Sequence, residues 1–117
     1  TRVVGVEPET SCALNAALEA GAPVDVNVSG IAADSLGARR IGELNYTILR
    51  QNGVTAIKVR DDDIRATQER LWRTHRIVAE PGGATSLAAL ISGQYRPEPK
   101  SRVCAIVCGG YTDAVKF

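Results

Sequence analysis

With 117 residues, 44% of them hydrophobic and 23% charged, and a net charge of +1, the chain has the makeup of an ordinary globular polypeptide with room for one core. That balance offers no electrostatic footprint for nucleic acid or an anionic membrane, and the apolar runs stop short of the ~20 residues a membrane-spanning helix needs. Its three cysteines, Cys12, Cys104 and Cys108, lack CxxC spacing, so neither a disulfide framework nor a zinc site is indicated, and the cytoplasm is the default location.

Arg2 to Val6 reads as a short buried strand, stopped at Glu7-Pro8 because proline removes a backbone donor. Thr10 or Ser11 then caps a helix through about Glu19, with Ala13, Leu14, Ala17 and Leu18 at helical spacing and Gly21 as its terminator. Pro23 to Gly37 mixes alternating valines with small residues and reads as an extended piece followed by a loop. Ile41 to Gln51 is helical and ends at Asn52-Gly53, and Val54 to Val59 alternates like a strand. Asp61 or Asp62 is expected to cap the next helix, which carries Ile64, Gln68, Leu71 and Trp72 on one stripe and runs to about Arg76. Ile77 to Ala79 is extended. Ala84, Leu87, Ala88 and Ile91 recur at helical spacing in a helix closed by Gly93, and Gln94 to Ser101 is a surface connection.

The last apolar run, Val103-Cys104-Ala105-Ile106-Val107, leads into Cys108-Gly109-Gly110-Tyr111. It predicts a strand buried on both faces that ends in a tight turn at a ligand crevice. Glu80-Pro81-Gly82-Gly83-Ala84 has the same look, an acidic residue after an apolar run with glycines opening a helix, and the two loops are expected to meet. Cys104 and Cys108 on one strand stand roughly 13 Å apart, too far to bridge. Strands alternating with helices predict an α/β fold with a parallel sheet and right-handed crossovers.

Five segments taken in order, Val3 to Glu9, Gly30 to Gly37, Val59 to Ile64, Ile77 to Ala84 and Cys108 to Gly110, resemble the fold-type II pyridoxal-phosphate enzymes, in particular the threonine/serine dehydratase group. The resemblance implies a three-layer open parallel sheet, part of a tryptophan synthase beta subunit-like fold. It also implies that residues 1–117 are the C-terminal part of a catalytic domain. The absence of methionine, with Thr1 first, points the same way, to a cleavage product or fragment.

On that resemblance the cofactor is pyridoxal 5'-phosphate. Cys108 falls where the family sets a serine or cysteine against the pyridine nitrogen. A thiol is a weak neutral donor there, which suits β-elimination better than transamination. Glu80 matches the family's glutamate beside the ring, and Gly109 and Gly110 belong to the same cofactor edge. A helix-start carboxylate acting on the dipole is an equally good reading of Glu80, and compatible with the first. Glu7 matches the acidic ligand of a structural cation site. The family's further aspartate is replaced by Ala13, so a monovalent cation is expected over a divalent one, and a solvated glutamate at a strand end is the plain alternative. Tyr111 departs from the family's asparagine.

The resemblance further implies a Schiff-base lysine and a phosphate-holding glycine loop. Lys58, Lys100 and Lys116 match no such lysine motif. The chain alone is therefore expected to be inactive, and residues 1–117 to be a segment of an amino-acid ammonia-lyase. The alternatives are a serine racemase-like enzyme and a non-catalytic α/β module that binds a small molecule or a subunit. Asp61, Asp62 and Asp63 read as a helix-start acidic run rather than a cation cluster, and His75 as a charge at a helix C-terminus. Sheet edges left uncovered predict self-association as a homo-oligomer, with an amino acid as the small-molecule partner.

Overall fold

A computed structural model describes residues 1–113 and 115. The elements are β1 (Val4–Pro8), α1 (Ala13–Ala20), α2 (Ala33–Leu36), α3 (Glu43–Gln51), β2 (Thr55–Val59), α4 (Asp61–His75) and α5 (Pro81–Ile91). The two strands are parallel and adjacent, with Val4 opposite Thr55 and Pro8 opposite Val59. Successive side chains of β1 alternate faces. Val6 packs on the cluster of Val59, Ile64, Leu71, Ala79, Ala84, Ala88 and Ala89 that α4 and α5 build, while Gly5 faces Leu14 of α1 on the other side. The result is a helix–sheet–helix sandwich of the expected α/β class.

The helix ends have identifiable causes. Gly21 closes α1 in the left-handed region at φ 74°. The acidic run does not supply the cap of α4: Arg60 occupies that position and Asp61, Asp62 and Asp63 fill the first turn, where their charge faces the positive end of the dipole. His75 ends α4 exposed at its C-terminal turn, and Arg76 follows as a left-handed cap stacked over Trp72, 5.4 Å from the ring centre. In α5 the buried face is Ala84, Thr85, Ala88 and Ala89, one step round from the expected stripe, and Ile91 is exposed. α1 begins at Ala13, and β1 includes Glu7 and Pro8, two residues beyond the sequence expectation.

One expectation fails outright. Residues 103–107 form no strand, and Val103, Cys104 and Ile106 are exposed rather than buried. Among the described residues, no backbone–backbone hydrogen bond involves 102–107. A strand is defined by its neighbour, and β1 is paired only with β2. The segment therefore has strand composition without a strand partner. No helix is long and apolar enough to cross a membrane.

Candidate cofactor edge

The two glycine-bearing loops meet as expected. The amide of Glu80 donates to the Gly109 carbonyl at 2.8 Å, and the amide of Cys108 donates to the Gly83 carbonyl at 3.4 Å. The glycines are required by this contact. A Cβ on Gly83 would overlap the Cys108 carbonyl, and one on Gly109, at φ 67°, would run into the Glu80 side chain. Both glycines therefore spend their missing side chain on loop-to-loop packing rather than on a ligand. Gly110 has more room, its nearest atom in that direction being the Val78 carbonyl oxygen at 3.4 Å.

The outcome is an edge at the N-terminus of α5 with Glu80 half-buried and Cys108 exposed. Pro81 sits at the start of α5, where its missing N–H would have been one of the helix's unpaired donors anyway. A half-buried carboxylate and an accessible thiol thus share one edge on converging, glycine-tightened loops. Tyr111, one residue past the glycine pair, exposes its whole ring at 106% of the reference area and braces nothing.

Glu7 has a different occupation. One carboxylate oxygen accepts from the Leu14 amide at 2.8 Å, the other from the Asn15 amide and the Asn15 Nδ2, both at 2.8 Å. α1 has no side-chain cap of its own at Cys12, so the strand lends it one. The pattern was hidden in sequence because the acceptor lies on β1, before the expected cap at Thr10 or Ser11. No group of three or more His, Cys, Asp or Glu stands together among the described residues. Burial and the Glu7 carboxylate push the Cys12 thiol up from its ordinary value, leaving it less reactive than a solvated thiol. Lys58 reaches Glu19 at 3.8 Å on the surface, Lys100 lies in an exposed turn, and Lys116 is outside the described residues.

Beside the edge runs a groove of about 440 Å³, lined by Val4 and Val6 of β1, Ser86 and Leu90 of α5, and Val103 and Cys104. Thr1 and Arg2 share one end with Ser101 and Arg102. Residues of β1 and of the segment 101–105 thus flank this slot, with α5 contributing Ser86, Ala89 and Leu90 to its lining.

Residues 1–109 match the family model described as pyridoxal-phosphate dependent enzyme. The chain is 36% identical over 116 residues to a phenylserine dehydratase of Ralstonia pickettii, covering 99% of this chain and 36% of that protein. It is 31% identical over 119 residues to a biosynthetic L-threonine dehydratase of Corynebacterium glutamicum, covering 100% of this chain and 27% of that one. The structure of maize serine racemase superposes with a TM-score of 0.86 at 26% identity, covering 96% of this chain and 35% of that one. The chain thus spans about a third of the length of these proteins.

Proposed function

This chain belongs to the family of pyridoxal-phosphate dependent enzymes, of fold type II, and from that premise we propose that it is part of a catalytic domain acting on L-threonine or L-serine by β-elimination. In that reaction the β-hydroxyl leaves with a proton as water, and the enamine left behind tautomerises and is hydrolysed, so the net products are a 2-oxo acid and ammonia. When bound, pyridoxal phosphate supplies the electron sink for these bond changes. The single observation that carries the reading is the Glu80–Gly109 hydrogen bond, because it holds a carboxylate and the Cys108 thiol on one edge.

Cys108 would offer the ring nitrogen a weak, neutral donor, leaving the ring a moderate sink suited to elimination. Glu80 would line the same ring, its side chain confined against Gly109, and Gly110 would give the ring the closest backbone approach. Glu7, with both oxygens committed to α1, holds the helix; a monovalent cation there would be held mainly by backbone carbonyls. Serine racemization on the same edge is the narrower alternative, favoured by the 0.86 TM-score to maize serine racemase.

The chain by itself should not turn over substrate, since of its described lysines Lys58 pairs with Glu19 on the surface and Lys100 lies in an exposed turn. The slot between β1 and 103–107 is then where a further strand of the complete domain would insert, walling the crevice beside Cys108. Left open, that slot favours self-association.

The test is a chimera in which the 117 residues replace the matching stretch of the R. pickettii phenylserine dehydratase. It should bind pyridoxal phosphate and release a 2-oxo acid and ammonia from L-threonine or L-serine, with Cys108→Ala lowering the rate. A chimera that binds the cofactor and releases neither product would refute elimination, and release of D-serine instead would move the assignment to racemization.

A further inference from the structure

The three aspartates that open α4 look interchangeable in sequence, but each has its own partner. Asp62 pairs with Arg65 at 3.7 Å on the surface, and Asp63 accepts two hydrogen bonds from the Arg60 guanidinium at 3.1 and 3.2 Å. Asp61 turns the other way. One oxygen accepts from the Thr10 hydroxyl at 3.1 Å and the other from the Ile31 amide at 3.0 Å, joining parts of the chain 51 and 30 residues distant.

The segment it captures is a closed loop. Its neck is tied by the Val26 amide donating to the Arg39 carbonyl at 2.8 Å and by the Asp25–Arg40 ion pair at 3.3 Å. Compact surface loops with neighbouring ends of this kind are a recognised structural unit, packed by their own side chains. Three further contacts fasten it beside Asp61. The Ser29 amide donates to the Thr10 carbonyl at 2.9 Å, and the Ser11 hydroxyl donates to the Leu36 carbonyl. Gly30, at φ 84°, lets the backbone press against Thr10 and Asp61 where any Cβ would overlap both. The far side of the loop reaches the candidate site: a Cβ on Gly82 would overlap Ser35 and approach Leu36 Cγ at 3.1 Å. Gly82 lies between Glu80 and Gly83, the two residues whose backbones hold Gly109 and Cys108.

We propose that Asp61 is a positioning residue: by clasping Thr10 and Ile31 it fixes the loop 26–39, which presses through Ser35 and Leu36 on Gly82 and so sets how the Glu80–Gly83 turn docks on Cys108. The coupling runs through packed and hydrogen-bonded neighbours at every step, from the C-terminal end of β1 to the edge. From the proposed function it takes only the importance of that edge. Its readout needs no cofactor, so it and the elimination chemistry stand or fall separately.

The experiment compares the 117-residue chain with its Asp61→Ala, Asp61→Asn, Thr10→Val and Asp62→Ala variants. Exchange of the Ile31 amide is followed by NMR, and alkylation of each cysteine by iodoacetamide is followed by peptide mass mapping. Asp61→Ala should speed Ile31 exchange at least about tenfold, the loss of a hydrogen bond to a charged acceptor, and should change the Cys108 alkylation rate about threefold, the usual scale of coupling through a packed network. Cys104, which lines the groove, should keep its rate. Asp61→Asn, which can still accept from Ile31 and bond Thr10, should recover most of both effects. Thr10→Val should move both in the same direction by less, and Asp62→Ala should move neither. An unchanged Cys108 rate in a folded Asp61→Ala chain would overturn the proposal. Should that variant lose its circular dichroism, Thr10→Val decides: faster Ile31 exchange with an unaltered Cys108 rate overturns it equally.

Discussion

β1 and the segment 103–107 are near equals in composition, each a run of about five small or β-branched residues ending at a functional loop, yet their fates in the structure are opposite. β1 shares its edge with β2, presents Val6 to the core and hands Glu7 to α1. The other segment lies over α5 through few fastenings, among them the Ser86 hydroxyl on the Ile106 carbonyl and the Cys108 amide on Gly83, and leaves Ile106 74% exposed. The difference teaches that apolar β-type composition states a capacity to pair, while pairing itself depends on a neighbour elsewhere in space.

The comparison can be broken most forcefully in the shared core. Ile64 is fully buried in the cluster that Val59 belongs to and Val6 packs against, so Ile64→Ala should lower the unfolding free energy by about 4 kcal/mol in urea titration. A loss as small as that of a surface substitution would mean the paired region is not the stable one. Next comes the contact that ties the unpaired segment down: Gly83→Ala forces a Cβ into the Cys108 carbonyl and should cost about 2 kcal/mol. It should also free the Cys108 amide, read as accelerated hydrogen exchange at Cys108 with the β1 and β2 amides unchanged.

Glu7→Ala tests the reach of the paired region and should cost about 2 kcal/mol, because three donors at the start of α1 lose a charged acceptor. Faster exchange should be confined to Leu14 and Asn15. The smallest effect on stability, under about 0.5 kcal/mol, is expected from Ile106→Asp, since that side chain is already in water. The same substitution should nonetheless shift the chain toward monomer in sedimentation velocity, because a charge on an unpaired extended segment opposes its pairing with another chain. Equal association in both proteins would place the contact elsewhere.

Much of the site was legible in sequence for a local reason. Glycines beside Glu80 and Cys108 announce a close backbone approach whatever makes it, and the two loops do meet. What the glycines approach was not legible: Gly83 and Gly109 face each other's loops, leaving Gly110 as the more open position. Glu7 read as a cation ligand or a solvated carboxylate at a strand end, while its partners, Leu14 and Asn15, lie a helix start away. Asp61 was indistinguishable from Asp62 and Asp63, because nothing within a few residues records that Thr10 and Ile31 are its partners.

By itself, then, the sequence determined the alternation of helices and strands, the parallel α/β class and the loops that form the candidate edge. These follow from periodicity, helix stops and glycine placement, which act over a few residues. Only the tertiary structure decided that β1 pairs with β2 while 103–107 pairs with nothing among the described residues, that Glu7 caps α1, and that Asp61 clasps a distant loop. Each of those is a hydrogen-bonding question, and a donor or acceptor is satisfied by whichever group the fold brings within about 3 Å, not by its neighbours in the chain.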